Sequence, residues 1–209
     1  MNMYVGGQWV SRDSMQEVLN PFDGSVVDTV PKGSTNDVED AVKSAERGFM
    51  EMKKLTAFDR YTLLMKAVDL IEERKEDLAK TITLEEGKVI SEGRLEVDRC
   101  IQTITTSAEE AKRLNGEVVP LDAAPGNATK FGFTLRVPVG IVAAVTPFNF
   151  PLNLVAHKIG PALAAGNSVI IKPASDTPLS ALKLTEVMID AGFPPESLQC
   201  ITGSGGIIG

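Results

Sequence analysis

Hydrophobic positions fall into two regimes along the chain. Up to about residue 115 they recur at helical spacing. Val38, Ala41, Val42, Ala45, Phe49 and Met52 form one apolar stripe, Tyr61, Leu64, Val68 and Ile71 a second, and Ile90, Val97, Ile101, Ile104, Ala108 and Ala111 a third. This pattern predicts three amphipathic helical regions with charged outer faces, whose residues serve chiefly as a packing layer. Ser34 with Asp37 and Thr56 with Asp59 are capping-box starts. Gly87 is placed to end the second region after Glu86, and Asn115-Gly116 to end the third. The second region is expected to contain a break. Ahead of these helices, residues 3–10 read as a strand interrupted by a turn at Gly6-Gly7. Ser25 to Val30 reads as a short strand after turns at Asn20-Pro21 and Asp23-Gly24.

From Gly140 the rhythm is different. Three short apolar runs, Ile141–Val145, Ser168–Ile171 and Leu198–Thr202, are separated by two helical segments. The first runs from about Pro151 to Ala165 and ends at Gly166-Asn167. The second is opened by Pro178 with Thr177 as its cap, and stops at Gly192 after Ala191. Strands joined by crossovers of this length are parallel, and the crossovers right-handed. The fold class is therefore α/β: N-terminal helices, then the first half of a doubly wound parallel sheet.

Between the regimes, Phe131, Phe133, Leu135 and Val137 alternate with polar or small residues beyond a turn at Pro125-Gly126-Asn127. This extended β arm has little core of its own and is expected to pack on a second domain or another subunit. The domain reading is 1–117 for the N-terminal strands and helical layer, 118–138 for the arm and 139–209 for the half-sheet.

Composition sharpens this picture. Residues 137–209 hold only three basic and four acidic side chains, as strands buried on both faces require. With 43% hydrophobic and 23% charged residues the chain is an ordinary soluble type, and a net charge of −7 argues against a nucleic-acid partner. Cys100 and Cys200 offer neither a disulfide framework nor metal-ligand spacing, and no metal is expected. The opening residues MNMYVGGQWVS lack a targeting pattern, and no apolar run reaches membrane-spanning length. A cytoplasmic, reducing setting is the expectation.

In open parallel sheets ligands bind beyond the carboxyl ends of the strands. Three segments meet there: Thr146-Pro147-Phe148-Asn149, Lys172-Pro173-Ala174-Ser175, and the glycine-rich stretch from Gly203 to Gly209. An amide, an ammonium with a hydroxyl and a glycine loop suit an anionic, nucleotide-like ligand. Each also has a plainer reading. Asn149 precedes a helix, where Asn is a favoured N-cap. Lys172 has the place of a solvated strand end. Gly203, Gly205 and Gly209 are spaced GxGxxxG, not GxGxxG. His157, in mid-helix, reads as a packed or surface residue, and the two cysteines as inert buried thiols.

The run TPFNFPLNLVAHKIGPALAAGNSVIIKPASDTP resembles the aldehyde dehydrogenase superfamily, as do Asn20-Pro21, Glu85-Glu86-Gly87-Lys88 and the turn Ala191 to Pro195. The resemblance implies a Rossmann-like sheet and NAD(P)-dependent oxidation of an aldehyde to an acid through a cysteine thiohemiacetal and thioester. On it, Asn149 matches the side-chain donor to the oxyanion and Lys172 the lysine on the adenosine ribose. Val145, Thr146, Pro147, Phe148, Ala174, Ser175, Gly205 and Gly209 match cofactor-contacting positions, and Phe150 and Leu154 the substrate tunnel. Many NAD-preferring members carry a glutamate where this chain has Ser175, so NADP is expected to be tolerated alongside NAD. The family's nucleophilic cysteine and general-base glutamate fall beyond residue 209, so the 209 residues alone are expected to be inactive. The texture is closest to lactaldehyde, non-phosphorylating glyceraldehyde-3-phosphate and semialdehyde dehydrogenases. For acidic substrates Arg94 and Arg99 are candidates by position. The complete enzyme is expected to be a homodimer or homotetramer acting on a small aldehyde. Alternatives are an acyl-phosphate or acyl-thioester reductase on the same scaffold, and a binding-only relative.

Overall fold

The computed structural model describes residues 1–209. A hairpin of β1 (Met3–Val5) and β2 (Gln8–Val10) turns at Gly6-Gly7. It is followed by β3 (Met15–Leu19) and β4 (Val26–Pro31), which pair antiparallel. Four helices come next: α1 (Thr35–Met52), α2 (Ala57–Glu73), α3 (Lys75–Glu86) and α4 (Ile90–Ala111). Beyond the arm, β7 (Ile141–Val145), α5 (Asn153–Ala164), β8 (Ser168–Lys172), α6 (Leu179–Asp190) and β9 (Leu198–Cys200) alternate, and a single turn of helix, α7 (Gly205–Ile208), closes the chain.

The two capping boxes form as read, with Ser34 and Thr56 each exchanging side-chain and backbone hydrogen bonds with the aspartate three residues on. Gly87 ends α3 with φ 88°, a left-handed turn that an L-residue resists. The expected break lies at Arg74, and α4 ends four residues before Asn115.

The sheet order is β2-β1-β9-β8-β7. β7, β8 and β9 are parallel, with Val145 opposite Lys172 and Ile171 opposite Cys200. The hairpin adds antiparallel on β9 through Tyr4 and Cys200, so the sheet is mixed, not purely parallel. Strand alternation divides its faces. Tyr4, Val169, Ile171, Leu198 and Cys200 enter the main core with Leu64, Ile71, Ile104, Ile159 and Leu184 from the helices. Met3, Val5, Ile170 and Ile201 turn the other way and pack on Ala41 and Val38 of α1. In the main core α4 and α5 approach closely: a Cβ on Gly160 would stand 2.7 Å from the Ser107 hydroxyl. β7 is an edge strand, and Val145 is 57% exposed.

The arm is sparsely ordered into strands. Only β5 (Val118–Val119) and β6 (Gly132–Phe133) pair, and Phe131, Phe133, Leu135 and Val137 all stand exposed. No helix is long and apolar enough to cross a membrane.

Helices α5 and α6 start differently from the expectation. Thr177 does not cap α6; its hydroxyl points at the Phe148 carbonyl at 3.5 Å. The cap comes from Glu85 at the end of α3. One carboxylate oxygen accepts from Leu179 N at 2.7 Å, and the other from Ser180 N at 2.9 Å and from the Ser180 hydroxyl. Likewise Glu96 of α4 accepts from Leu152 N at 2.9 Å and Asn153 N at 3.1 Å. Both carboxylates are buried. Each satisfies first-turn N–H groups that have no partner inside the helix and sits at the positive end of its dipole.

Burial pushes the Glu85 carboxyl up to about 7, with the Glu96 charge adding to it against the pull of the Ser180 and Leu179 donors. A carboxyl raised above its ordinary 4.5 holds its proton more tightly in the folded state than in the unfolded one. Stability therefore declines as pH rises from about 4.5 towards 7, and levels off above. Glu85→Gln, which keeps an acceptor without the ionisation, should flatten that decline when the unfolding midpoint is followed across this window. Parallel curves for the two proteins would contradict this.

Candidate functional site

The parallel strands bring three loops side by side. Thr146 N donates to the Lys172 carbonyl at 3.1 Å and Ile201 N to the Ile171 carbonyl at 2.9 Å, so the ladder continues into the loops. The Ser175 hydroxyl then donates to the Gly203 carbonyl at 3.0 Å, joining the second loop to the third. Gln16 of β3 donates to the Ser175 carbonyl at 2.5 Å. β3 has no counterpart in the sequence reading, yet it fixes the far side of this loop.

Lys172 ends β8, half-buried, with the Pro173 carbonyl as its hydrogen-bond partner at 2.9 Å. No carboxylate pairs with it, and burial lowers its ammonium pKa. Gly205 lies over it: a Cβ there would come 4.0 Å from Lys172 Nζ. Ala174 and Ser175 are half-buried beside it, and Gly205 and Gly209 are exposed. Thr146 is buried, whereas Val145, Pro147 and Phe148 are exposed along the same edge. The donor set of an unpaired ammonium, a hydroxyl and open glycine backbone fits an anionic dinucleotide. The only carboxylate in these loops, Asp176, faces solvent.

Asn149 follows β7 and is exposed. The structure removes the capping alternative for it. α5 begins four residues later, at Asn153, and its first N–H groups belong to Glu96. The hydrogen bond made at Asn149 is on its backbone carbonyl, which accepts from Lys88 Nζ at 2.7 Å. Its side-chain amide has no partner in the chain. Lys88 also lies 3.8 Å from the Phe150 ring centroid and pairs with Glu96 at 2.7 Å. Glu85, Glu96 and Lys88 are thus the residues that sequence reasoning missed as parts of the site. The backbone groups they hold lie more than fifty residues away along the chain, and local spacing does not point to them.

Two cavities share Arg99, and the smaller also reaches Phe150. The smaller, about 200 Å³, is lined by Lys88, Glu96, Arg99 and Phe150. The larger, about 490 Å³, is lined by Arg99, Gln102, Thr103, Thr106, Asn153 and His157, without a hydrophobic side chain. Arg99 borders both. Arg94, by contrast, is engaged by Glu76 through two contacts of 2.8 and 2.9 Å. Leu154 is half-buried on α5 between these residues. His157 is exposed, as read.

Cys100 and Cys200 are free, fully buried thiols. Burial raises the pKa of both, that of Cys200 up to about 12. Neither reaches the sheet edge, and no grouping of His, Cys, Asp and Glu suited to a metal ion is present.

Comparison with known proteins gives close relatives of the same fold. The chain is 48% identical over 207 residues to a 3-sulfolactaldehyde dehydrogenase of Priestia megaterium, covering 99% of this chain and 43% of that protein. It is 39% identical to a lactaldehyde dehydrogenase of Methanococcus aeolicus, covering 99% and 44%. The fold matches a crystal structure of an NADP-dependent glyceraldehyde-3-phosphate dehydrogenase from Bacillus halodurans, complexed with NADP, with a TM-score of 0.95 and 37% identity over 99% of this chain and 44% of that one. The chain thus spans less than half the length of these relatives. A family profile described as the aldehyde dehydrogenase family matches residues 9–209. On this match the chain belongs to the aldehyde dehydrogenase family.

Proposed function

We propose that this chain supplies the cofactor edge and the oxyanion donor of an enzyme that oxidises an acidic aldehyde to its acid. The observation that carries the reading is the state of Asn149: exposed at the sheet edge, its backbone tethered by Lys88, its amide unengaged. A neutral amide held in place before reaction needs no reorganisation as negative charge develops, which is what oxyanion stabilisation requires.

Lys172, Ser175, Gly205 and Gly209, with Val145 to Phe148 and Ala174, would hold NAD(P) along the edge. Once bound there, it supplies the hydride acceptor. The nucleophile is a cysteine thiolate outside these residues, since Cys100 and Cys200 are buried with raised pKa. When that thiolate adds to the aldehyde carbon, the carbonyl oxygen takes the charge and Asn149 Nδ2 donates to it. Phe150 and Leu154 flank the path to this point. Asn149→Ala in the enzyme of full family length is expected to lower kcat by about a hundredfold to a thousandfold, with little change in the KM for cofactor. An unchanged kcat would overturn the reading.

The cofactor reading includes NADP. Ser175 places no carboxylate where a 2′-phosphate would be repelled, and its hydroxyl, whose one proton goes to the Gly203 carbonyl here, can rotate to donate it to a phosphate oxygen instead. Turnover with NADP is expected to be comparable to that with NAD, and Ser175→Glu should shift preference towards NAD. A strong NAD preference in the unaltered enzyme would contradict this.

The substrate class rests on Arg99. It carries no ion pair, lies on the cavity beside Phe150 and faces the polar groove of Asn153 and His157. An unpaired guanidinium there suits a carboxylate, sulfonate or phosphate at the far end of a short aldehyde. The Priestia relative is named for a sulfonated aldehyde. Arg99→Met should raise the KM for an acidic aldehyde about tenfold or more while sparing an uncharged aldehyde of the same length. Equal effects on both would rule out charge recognition at this position.

A further inference from the structure

We infer that Lys88 is a positioning residue for the oxyanion donor, acting through the backbone of Asn149; the inference rests on the role proposed for Asn149 above.

Lys88 follows the left-handed turn at Gly87 that ends α3, so its direction is set by the helix cap. Its side chain is only 13% exposed and reaches three groups at once. It donates to Glu96 Oε2 at 2.7 Å and to the Asn149 carbonyl at 2.7 Å, and its ammonium lies 3.8 Å from the Phe150 ring centroid. The other oxygen of Glu96 accepts from Leu152 N and Asn153 N. The Lys88–Glu96 pair therefore grips residues 149–153 at both ends, by a carbonyl at one and two N–H groups at the other.

The consequence for Asn149 is geometric. A peptide group is planar, so fixing its carbonyl oxygen fixes the plane that leaves residue 149. The β7 ladder ends at Thr146, three residues earlier, so the held carbonyl is the nearest constraint on the Cα–Cβ direction of Asn149. The other hydrogen bonds nearby fall on neighbouring residues, Leu154 N donating to the Phe150 carbonyl at 3.0 Å. The amide itself has no partner, and the Thr177 hydroxyl meets the neighbouring Phe148 carbonyl only at 3.5 Å, the limit of a hydrogen bond. Lys88 engages the backbone carbonyl of Asn149 and not its side-chain amide. Glu86 is also near, 3.4 Å from Nζ, and helps hold the ammonium in place.

An oxyanion donor displaced by about 1 Å loses much of its effect, on the order of a hundredfold in rate. Lys88→Met in the enzyme of full family length should therefore lower kcat by about tenfold to a hundredfold, with the KM for NAD(P) held within a factor of about two. A general loss of packing would lower kcat whether or not Asn149 is present. The deciding experiment is a double-mutant cycle of Lys88→Met with Asn149→Ala, with kcat and the thermal midpoint measured for all four proteins. The expected result is strong non-additivity in kcat: Lys88→Met has little further effect once the amide is gone, although it still lowers the thermal midpoint. Equal fold-losses in both backgrounds, or no loss of kcat in the parent, would overturn the inference. If Asn149→Ala alone leaves kcat intact, the functional reading fails first and the inference falls with it. Should Lys88→Met not fold, Lys88→Gln, one bond shorter and so able to donate to Glu96 without also reaching the Asn149 carbonyl, enters the same cycle with the same outcomes.

Discussion

The two carboxylates buried where the crossover helices begin are the constraint on which the sheet edge depends. A carboxylate removed from water is costly unless its oxygens are filled by donors. Here the donors are the first-turn N–H groups of α5 and α6, which would be orphaned themselves. Two liabilities thus offset each other at each junction. The arrangement also fixes distances: the helical layer of α3 and α4 cannot slide against α5 and α6 without breaking both sets. Since α5 and α6 follow directly from the loops after β7 and β8, the positions of those loops are fixed as well.

The same carboxylates set the local electrostatics. Glu96 holds Lys88, and Lys88 holds the Asn149 carbonyl, so a chain of contacts runs from the buried layer to the exposed amide. Lys172 stands apart from this chain, with no carboxylate partner, at the edge beside the glycine loop. One lysine is neutralised and serves as a tether, and the other remains available to an anion. Arg94 and Arg99 divide in a similar way along α4. Glu76 occupies Arg94 and leaves Arg99 facing the cavities.

Whatever was encoded within a few residues was legible in the sequence. The capping boxes at Ser34 and Thr56, the stop at Gly87 and the three parallel strands follow from local spacing, and all are present. Features decided between distant segments were not. Thr177 has the look of a cap, but Glu85 reaches those N–H groups from 94 and 95 residues away. Asn149 reads equally as a cap in the sequence, and it is Glu96 that fills the role of cap in the structure. β3 escaped notice because MQEVL has no clean alternation, and its order comes from pairing with β4. The choice between two arginines on one helix likewise needed the position of Glu76. The family resemblance pointed to Asn149 and Lys172, but it carried no information on what holds them.

The central claim is that a buried ion pair presents a free amide to the reacting oxygen. It is tested most directly by a crystal structure of the enzyme of full family length, trapped as a covalent adduct with an acidic aldehyde. The account predicts Asn149 Nδ2 at about 3 Å from the adduct oxygen, with Lys88 still bridging Glu96 and the Asn149 carbonyl. An adduct oxygen held by other donors, with the Asn149 amide turned away or Lys88 released from the loop, would contradict it.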